Sequence, residues 1–417
     1  MEPPIVATVD RRSVTALFSR LRTSRGQTDP YPHYAELRSM GDIVPAPWGG
    51  HVVTSFGLCE HILRSRDWLV PDARWRQQQG AATRWTAASS REMAQTLPSL
   101  NPPEHTHVRK ATAAMFDRRS LRALQHVVEK STETLTGRLS ERLHSREADL
   151  HTAVSEELPV TVIGKWLGLP PADYARLREL THEQVFAQEL LPSASQLARS
   201  DAATEQLRDY FTTLIRQRRA RPGSDPVSAC LRAWDALEPD REAADKAVHR
   251  VVFFVLLAAL ETTATLLTHS VLHLLQHPRQ WHWLRAHPDQ VPAAVEESLR
   301  FDPPTHVISR IAGPGAAIDG VGVEAGSMVH LLVGAANRDP AQHLEPDTFD
   351  VTRRATHLSF SAGMHYCLGA SLARQEAVTL VTALLDRFPR LRLARAPEWA
   401  PRVAFRRPLT LYVTDSR

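Results

Sequence analysis

From residue 118 to about 280 the apolar positions recur at helical spacing, with breaks at Pro159, at 168–171 and at 221–226. The last helix of this run is the longest. It starts at Asp240, a good N-cap, and is stopped near residue 277 by Pro278. At the α-helical rise it spans on the order of 55 Å, enough to cross a whole domain. Its middle, 251–260, is apolar on every side, which predicts burial all round. Nearer the start, DPYPHYAELRSMG reads as a Pro-started helix, and IVPAPWGGHVVTSF as two short strands turning at Gly49 and Gly50. Residues 1–28 are expected to be a loosely ordered lead. Between 69 and 100 the pattern turns irregular and polar around Trp75 and Trp85, and on these grounds a surface excursion and a substrate-contacting loop are equally open. Residues 185–197 join two helical runs, contain Pro192 and form a candidate lid. Short Gly- and Val-rich strands follow from 313, and PEWAPRVAFRRPLTLYV reads as a closing hairpin. The pattern predicts one domain over 1–417, mainly α-helical with a small β-rich lobe.

Composition narrows the setting. The chain has 417 residues, 43% of them apolar, so a large core is possible. Cys59, Cys230 and Cys367 lie far apart, which excludes a disulfide framework or zinc-ligand spacing and points to a reducing cytoplasm. No apolar stretch near the N-terminus has signal-peptide length, and the longest uninterrupted apolar run is about half of a membrane span. The net charge of +4 is spread along the chain, a bias towards acidic partners without a nucleic-acid footprint. A monomer with no membrane association is expected.

Four places carry candidate chemistry. In HLSFSAGMHYCLGASLAR, a Gly-punctuated loop ends in Cys367 just before a helical pattern. Free backbone N–H groups and the helix dipole stabilise a thiolate there. Phe360 supplies an apolar wall, His365 an N–H near the sulfur, and Gly363 and Gly369 a backbone able to lie against something flat. A lone cysteine is otherwise most often a buried structural residue. Glu261, followed by Thr262 and Thr263, puts a carboxylate inside a buried helix, costly without a task or a partner. Thr there can bond back to the carbonyl four residues earlier and make room for a small ligand. His105 and Arg109 share a helix face, as do Glu297 and Arg300, a pairing that is common and weak by itself.

F-S-A-G-M-H-Y-C-L-G closely resembles the haem-binding signature of the cytochromes P-450, with Ser361 where the family usually has Gly. A-A-L-E-T-T resembles its oxygen-activating motif, with Ala259 in place of the usual Gly. H-T-x-x-R at His105 to Arg109 and E-x-x-R at Glu297 to Arg300 complete four motifs in family order, covering nearly the whole chain. The resemblance implies that haem b (iron protoporphyrin IX) lies between the long helix and the cysteine loop. Cys367 would be the axial metal ligand, with Phe360 and Gly369 beside it. His105, Arg109, Arg310 and His365 would hold the propionates. Glu261 and Thr262 would be catalytic, relaying protons and donating a hydrogen bond on the oxygen side. Glu297, Arg300 and Arg353 would form a structural triad, with Arg354 as the alternative third member.

The implied activity is that of an oxidoreductase: reductive activation of dioxygen and hydroxylation or epoxidation of a small molecule. Electrons would come from a separate ferredoxin and ferredoxin reductase, docking near Arg109, Lys110, Arg118 and Arg119. The expected substrate pocket holds Trp75, Trp85, Phe186, Leu190, Leu191, Val255, Ala258, Val307 and Phe405, which suggests a medium-to-large, fairly apolar molecule. The format resembles bacterial members that tailor polyketides, terpenes or peptide-derived natural products in antibiotic and secondary metabolism. Aryl coupling, desaturation, a haem-dependent peroxygenase and a catalytically silent recruitment protein are the rival readings.

Overall fold

The computed structural model describes residues 9–80, 84–116, 118–144, 147–318 and 321–415. Its axis is the helix Arg241–Gln276, whose first turn is capped by the Asp240 carboxylate accepting from the Glu242 N–H at 3.0 Å. This helix is long and apolar enough to cross a bilayer, yet its apolar stretch is packed inside the protein. The helices Glu157–Leu167, Ala194–Ala220, Pro226–Asp235, Val291–Phe301 and Ala370–Arg387 surround it. Burial on all sides is what an all-apolar helix needs. The exception is a stripe of half-buried positions, Phe254, Ala258 and Thr262 at four-residue steps with Ala259 beside them. These share one face.

The β-rich lobe is built on a five-stranded sheet. Its order is Ile43–Pro45, His51–Val53, Met328–Leu332, Val307–Ala312 and Trp68–Leu69. His51–Val53 and Met328–Leu332 run parallel; the other pairs are antiparallel. In this register Ser309 faces His330, and Arg310 pairs with Val329. Smaller sheets join Ala148–Asp149, Tyr412–Thr414 and Arg392–Leu393, and Ala317–Ile318 with Val321–Gly322.

Three expectations need correcting. The described part of the 1–28 lead is ordered: Arg11–Leu21 and Ser24–Thr28 are helices. Val14, Leu17, Phe18 and Leu21 form a narrow apolar face, buried against Tyr34, Leu37, Val44 and Leu190. The many arginines around that face mask it in the raw composition. The break read at Pro159 falls slightly earlier: a π-turn, His151–Ser155, ends at Glu156, and Pro159 sits in the first turn of the helix Glu157–Leu167. The C-terminal hairpin is narrower than expected: Trp399 bridges Pro408, with the Ala400 N–H donating to the Arg407 carbonyl and the Leu409 N–H to the Glu398 carbonyl, while Tyr412–Thr414 pairs with distant strands.

Candidate active site and cofactor wall

Cys367 lies two residues before Gly369, the N-cap of the helix Ala370–Arg387. Cys367 is exposed as a residue, whereas Cys59 and Cys230 are buried. Enclosure by protein raises the Cys367 thiol, and the backbone N–H groups of Gly369 and Ala370 pull the other way by favouring the thiolate. Burial pushes Cys230 up to about 12 and Cys59 further, so neither competes as a thiolate. The loop closes through the Cys367 N–H donating to the Phe360 carbonyl at 2.9 Å. Gly363 has φ +64°, and a Cβ there would stand 2.4 Å from the Leu63 carbonyl oxygen, so only glycine fits. Ser361 also sits in the left-handed region, at φ 61°, with its hydroxyl buried and unpartnered. Gly369 is different, since its φ of −86° suits any residue.

Around this loop the structure gathers the expected donors. Arg109, on the helix Glu104–Ala113, donates from Nη2 to the Tyr366 carbonyl at 2.8 Å. The His105 and His365 rings lie 4.3 Å apart, and the Nε2 of His105 is buried without a partner. Arg310 is 4% exposed and donates from Nη1 to the carbonyl of Ser309. Burial brings Arg310 down to about 10, and burial together with Arg310's charge brings His365 down to about 2, leaving that imidazole neutral. Among the described residues no carboxylate forms an ion pair with any of these four side chains. Such donors fit two carboxylates carried on a flat apolar group.

Behind the wall, Glu297 is saturated. Arg300 reaches both of its oxygens, at 2.7 and 2.8 Å, and the carbonyls of Asn337, Pro346 and Thr348. Arg353 reaches Glu297 at 3.3 Å and also binds the Leu344 carbonyl. Arg353, rather than Arg354, is the third member.

On the central helix the Thr262 hydroxyl donates to the Ala258 carbonyl at 2.6 Å, the back-bond anticipated from sequence. Glu261 is 2% exposed and turns towards the far C-terminal segment, where Arg402 forms an ion pair with it. The Nδ1 of His182 lies 3.1 Å from its other oxygen. Burial alone would raise Glu261, but Arg402 and His182 outweigh it and hold the carboxyl at about 2. Neither partner was legible from the chain, since they lie 79 and 141 residues away. Glu189 is a further surprise: buried, it accepts the N–H groups of Val403, Ala404 and Phe405 at 3.0–3.1 Å. The candidate lid is thereby tied to the C-terminal segment.

The expected pocket residues divide. Leu190, Leu191, Val307 and Phe405 meet in one cluster, and Trp75 stands edge-on to Trp85 at 5.4 Å. Phe186 is buried beneath the Arg402 guanidinium. Ala258 lies on the half-buried stripe, but Val255 is packed into the helical core and does not share it.

An exposed cysteine at a helix head, a wall of donors without carboxylate partners among the described residues and a central Glu–Thr–Thr helix are what a haem-dependent oxygenase needs. The chain belongs to the cytochrome P450 family, whose sequence profile matches residues 180–395. It is 34% identical over 398 residues to nocardicin C N-oxygenase of Nocardia uniformis subsp. tsuyamanensis, covering 93% of this chain and 96% of that protein. To the biotin biosynthesis cytochrome P450 of Bacillus subtilis it is 32% identical over 395 residues, with 93% and 96% covered. The structure of P450BioI in complex with a hexadec-9Z-enoic acid ligated acyl carrier protein superposes with a TM-score of 0.85 at 31% identity, over 94% of this chain and 100% of that one. The protein is therefore an oxidoreductase of the monooxygenase class that uses haem b. Bacterial members of the family take electrons from redox partners.

Proposed function

We propose that this enzyme hydroxylates or epoxidises a medium-to-large, largely apolar small molecule in natural-product biosynthesis, with electrons from a ferredoxin and its reductase. The observation that carries the reading is the exposed Cys367 set among four donors that no carboxylate among the described residues neutralises. Cys367 would ligate the iron, and His105, Arg109, Arg310 and His365 would hold the propionates. When bound, haem b supplies the reductive activation of dioxygen, as in haem–thiolate proteins of this family generally.

The chain's own residues do the rest. Thr262 and Ala258 lie on the stripe that the central helix leaves half-covered, so the hydroxyl can exchange its back-bond for one to a ligand on that side. Glu261, held ionised by Arg402 and His182, would relay protons through those two partners. The apolar cluster of Leu190, Leu191, Val307 and Phe405 supports a hydrophobic substrate and excludes water. Two relatives bear biosynthetic names, nocardicin C N-oxygenase and the biotin biosynthesis P450, which supports a tailoring role. For electron transfer, Arg109 and Lys110 offer positive charge beside the cysteine loop; the side chains of Arg118 and Arg119 lie outside the described residues. Charge reversal at Lys110 should raise the apparent KM for ferredoxin, and an unchanged value removes that face as the docking site.

The deciding experiment adds candidate substrates to ferric protein, follows the spin-state shift, and identifies products after reconstitution with ferredoxin and reductase. An oxygenated product supports the reading. A coupled or desaturated product without inserted oxygen would overturn it.

A further inference from the structure

One part of the expected substrate pocket fits poorly with a wholly apolar substrate. The segment after the strand Trp68–Leu69 holds two arginines and two indoles close together. The Arg84 guanidinium lies 4.2 Å from the centre of the Trp85 ring, and that of Arg76 lies 5.1 Å from it. Arg76 spends its donors on neutral acceptors: the Pro71 carbonyl at 2.7 Å, the Ser90 carbonyl at 2.6 Å and the Ser99 hydroxyl at 3.0 Å. The Nη1 of Arg84 is sealed from solvent and has no hydrogen-bond partner. Among the described residues neither arginine is ion-paired with a carboxylate. A charged donor left buried and unpaired is costly, more so than a neutral one.

The surroundings do not supply the missing acceptor. Glu189 is the acidic group whose field reaches Arg84, but its two oxygens already hold three backbone N–H groups from Val403, Ala404 and Phe405. On the sheet side His330 also feels Arg84; burial first, then that charge, press it down to about 3, so it is neutral. Its two nitrogens are occupied, Nδ1 with the Ser309 hydroxyl at 2.9 Å and Nε2 by the Trp48 indole N–H at 2.9 Å. Arg84 thus stands where the 84–86 turn, the sheet and the tied-down 185–193 segment converge. Those are the same parts of the chain that bring Leu190, Val307 and Phe405 together. An apolar wall ending in a desolvated, indole-stacked guanidinium recognises a molecule with a hydrophobic body and a negative end.

We propose that Arg84 anchors a carboxylate on the substrate, so that the enzyme's substrates are hydrophobic acids. The inference rests on the proposed monooxygenase reading and specifies the molecule that reading left general. Arg84 acts in recognition and orientation, donating from Nη1 to the carboxylate with Trp85 holding the guanidinium plane.

The test uses ferric holoenzyme and matched pairs of ligands, each a straight-chain, aryl or polycyclic carboxylic acid and the primary amide of the same skeleton. Dissociation constants are read from the spin-state change and from tryptophan fluorescence, for wild type, Arg84→Gln and Arg84→Lys. At least one acid should bind tighter than its amide by about tenfold or more, as a charge-assisted hydrogen bond implies. Arg84→Gln should abolish that preference and Arg84→Lys should keep part of it. The inference is overturned if no acid outbinds its amide, or if the preference survives in Arg84→Gln. The reduced, carbon monoxide-bound spectrum of each preparation separates the two levels. A protein without the thiolate band fails the monooxygenase reading, whereas one with the band and no acid preference fails this inference alone. If Arg84→Gln loses the band, Arg84→Met and Arg84→Lys carry the comparison.

Discussion

Arg300 and Arg310 are ten residues apart and almost equally buried, at 0% and 4% exposure, yet they live in opposite surroundings. Arg300 donates to both oxygens of Glu297 and to three carbonyls. Arg310 has one hydrogen bond, to the carbonyl of its own neighbour Ser309, and no carboxylate against it among the described residues. A buried charge that is fully partnered holds a fold together; one that is not is kept for something else. The brace around Glu297 and the wall around Cys367 are therefore different kinds of region, although both are rich in arginine. Arg84 belongs with the second kind.

The most severe way to break the wall is at the sulfur. Cys367→Ser should eliminate the reduced carbon monoxide band that gives the family its name, together with all product formation. A variant that keeps the band would remove Cys367 as the ligand. The brace should fail differently. Glu297→Leu leaves Arg300 charged, buried and short of its partner, so unfolding free energy should fall by about 3–5 kcal/mol. Denaturant midpoints on cofactor-free protein would read this, and a loss below about 1 kcal/mol would reduce the triad to a surface-grade contact.

Arg310→Leu sharpens the contrast. Removing an unpartnered charge should leave the midpoint of cofactor-free protein unchanged or raised. Haem transfer to apomyoglobin should nevertheless accelerate roughly tenfold or more, the worth of a charge-assisted hydrogen bond. Equal transfer rates would show that Arg310 does not hold a propionate.

Buried histidines add a pH dependence. Burial presses His269 down to about 3, against the opposing pull of Asp302, so it is neutral in the fold. Released by unfolding, it titrates near 6.5. The unfolded chain therefore binds the extra proton between those values. The contribution is intact above pH 6.5 and lost as pH falls towards 3, by at most about 1.4 kcal/mol per pH unit. His269→Gln should flatten the decline in denaturant midpoint between about pH 6.5 and about pH 5; an unchanged slope would assign it to other groups. The smallest effect expected is at Ser361→Gly. Relief of its left-handed backbone and orphaned hydroxyl should add roughly 1 kcal/mol to thermal or denaturant stability, net of glycine's extra entropy. A loss of stability would mean that the Ser361 hydroxyl has a partner.

Much of this was legible along the chain because it is local. The central helix and its cap at Asp240, the two strands around Gly49 and Gly50, and the cysteine before a helix head depend on neighbours within a few residues. Their signals are periodicity, capping and turn chemistry. The back-bond of Thr262 to Ala258 is one helical turn long and was equally readable. The ordered N-terminal helices were missed, since four apolar residues among many arginines give a weak stripe whose burial depends on Tyr34, Leu37 and Leu190.

What the sequence determined by itself was the central helix, the first two strands, the family motifs and the cysteine loop. Tertiary structure decided which charges are neutralised. Arg402 and His182 meet Glu261 across 141 and 79 residues, Glu189 meets the 403–405 backbone, and Arg84 is ion-paired with no acid among the described residues. Periodicity reports which face of an element is buried, because that is set by residues three or four apart. Whether a buried charge finds its counter-charge is set by chain closure over long distances, and no local pattern encodes it.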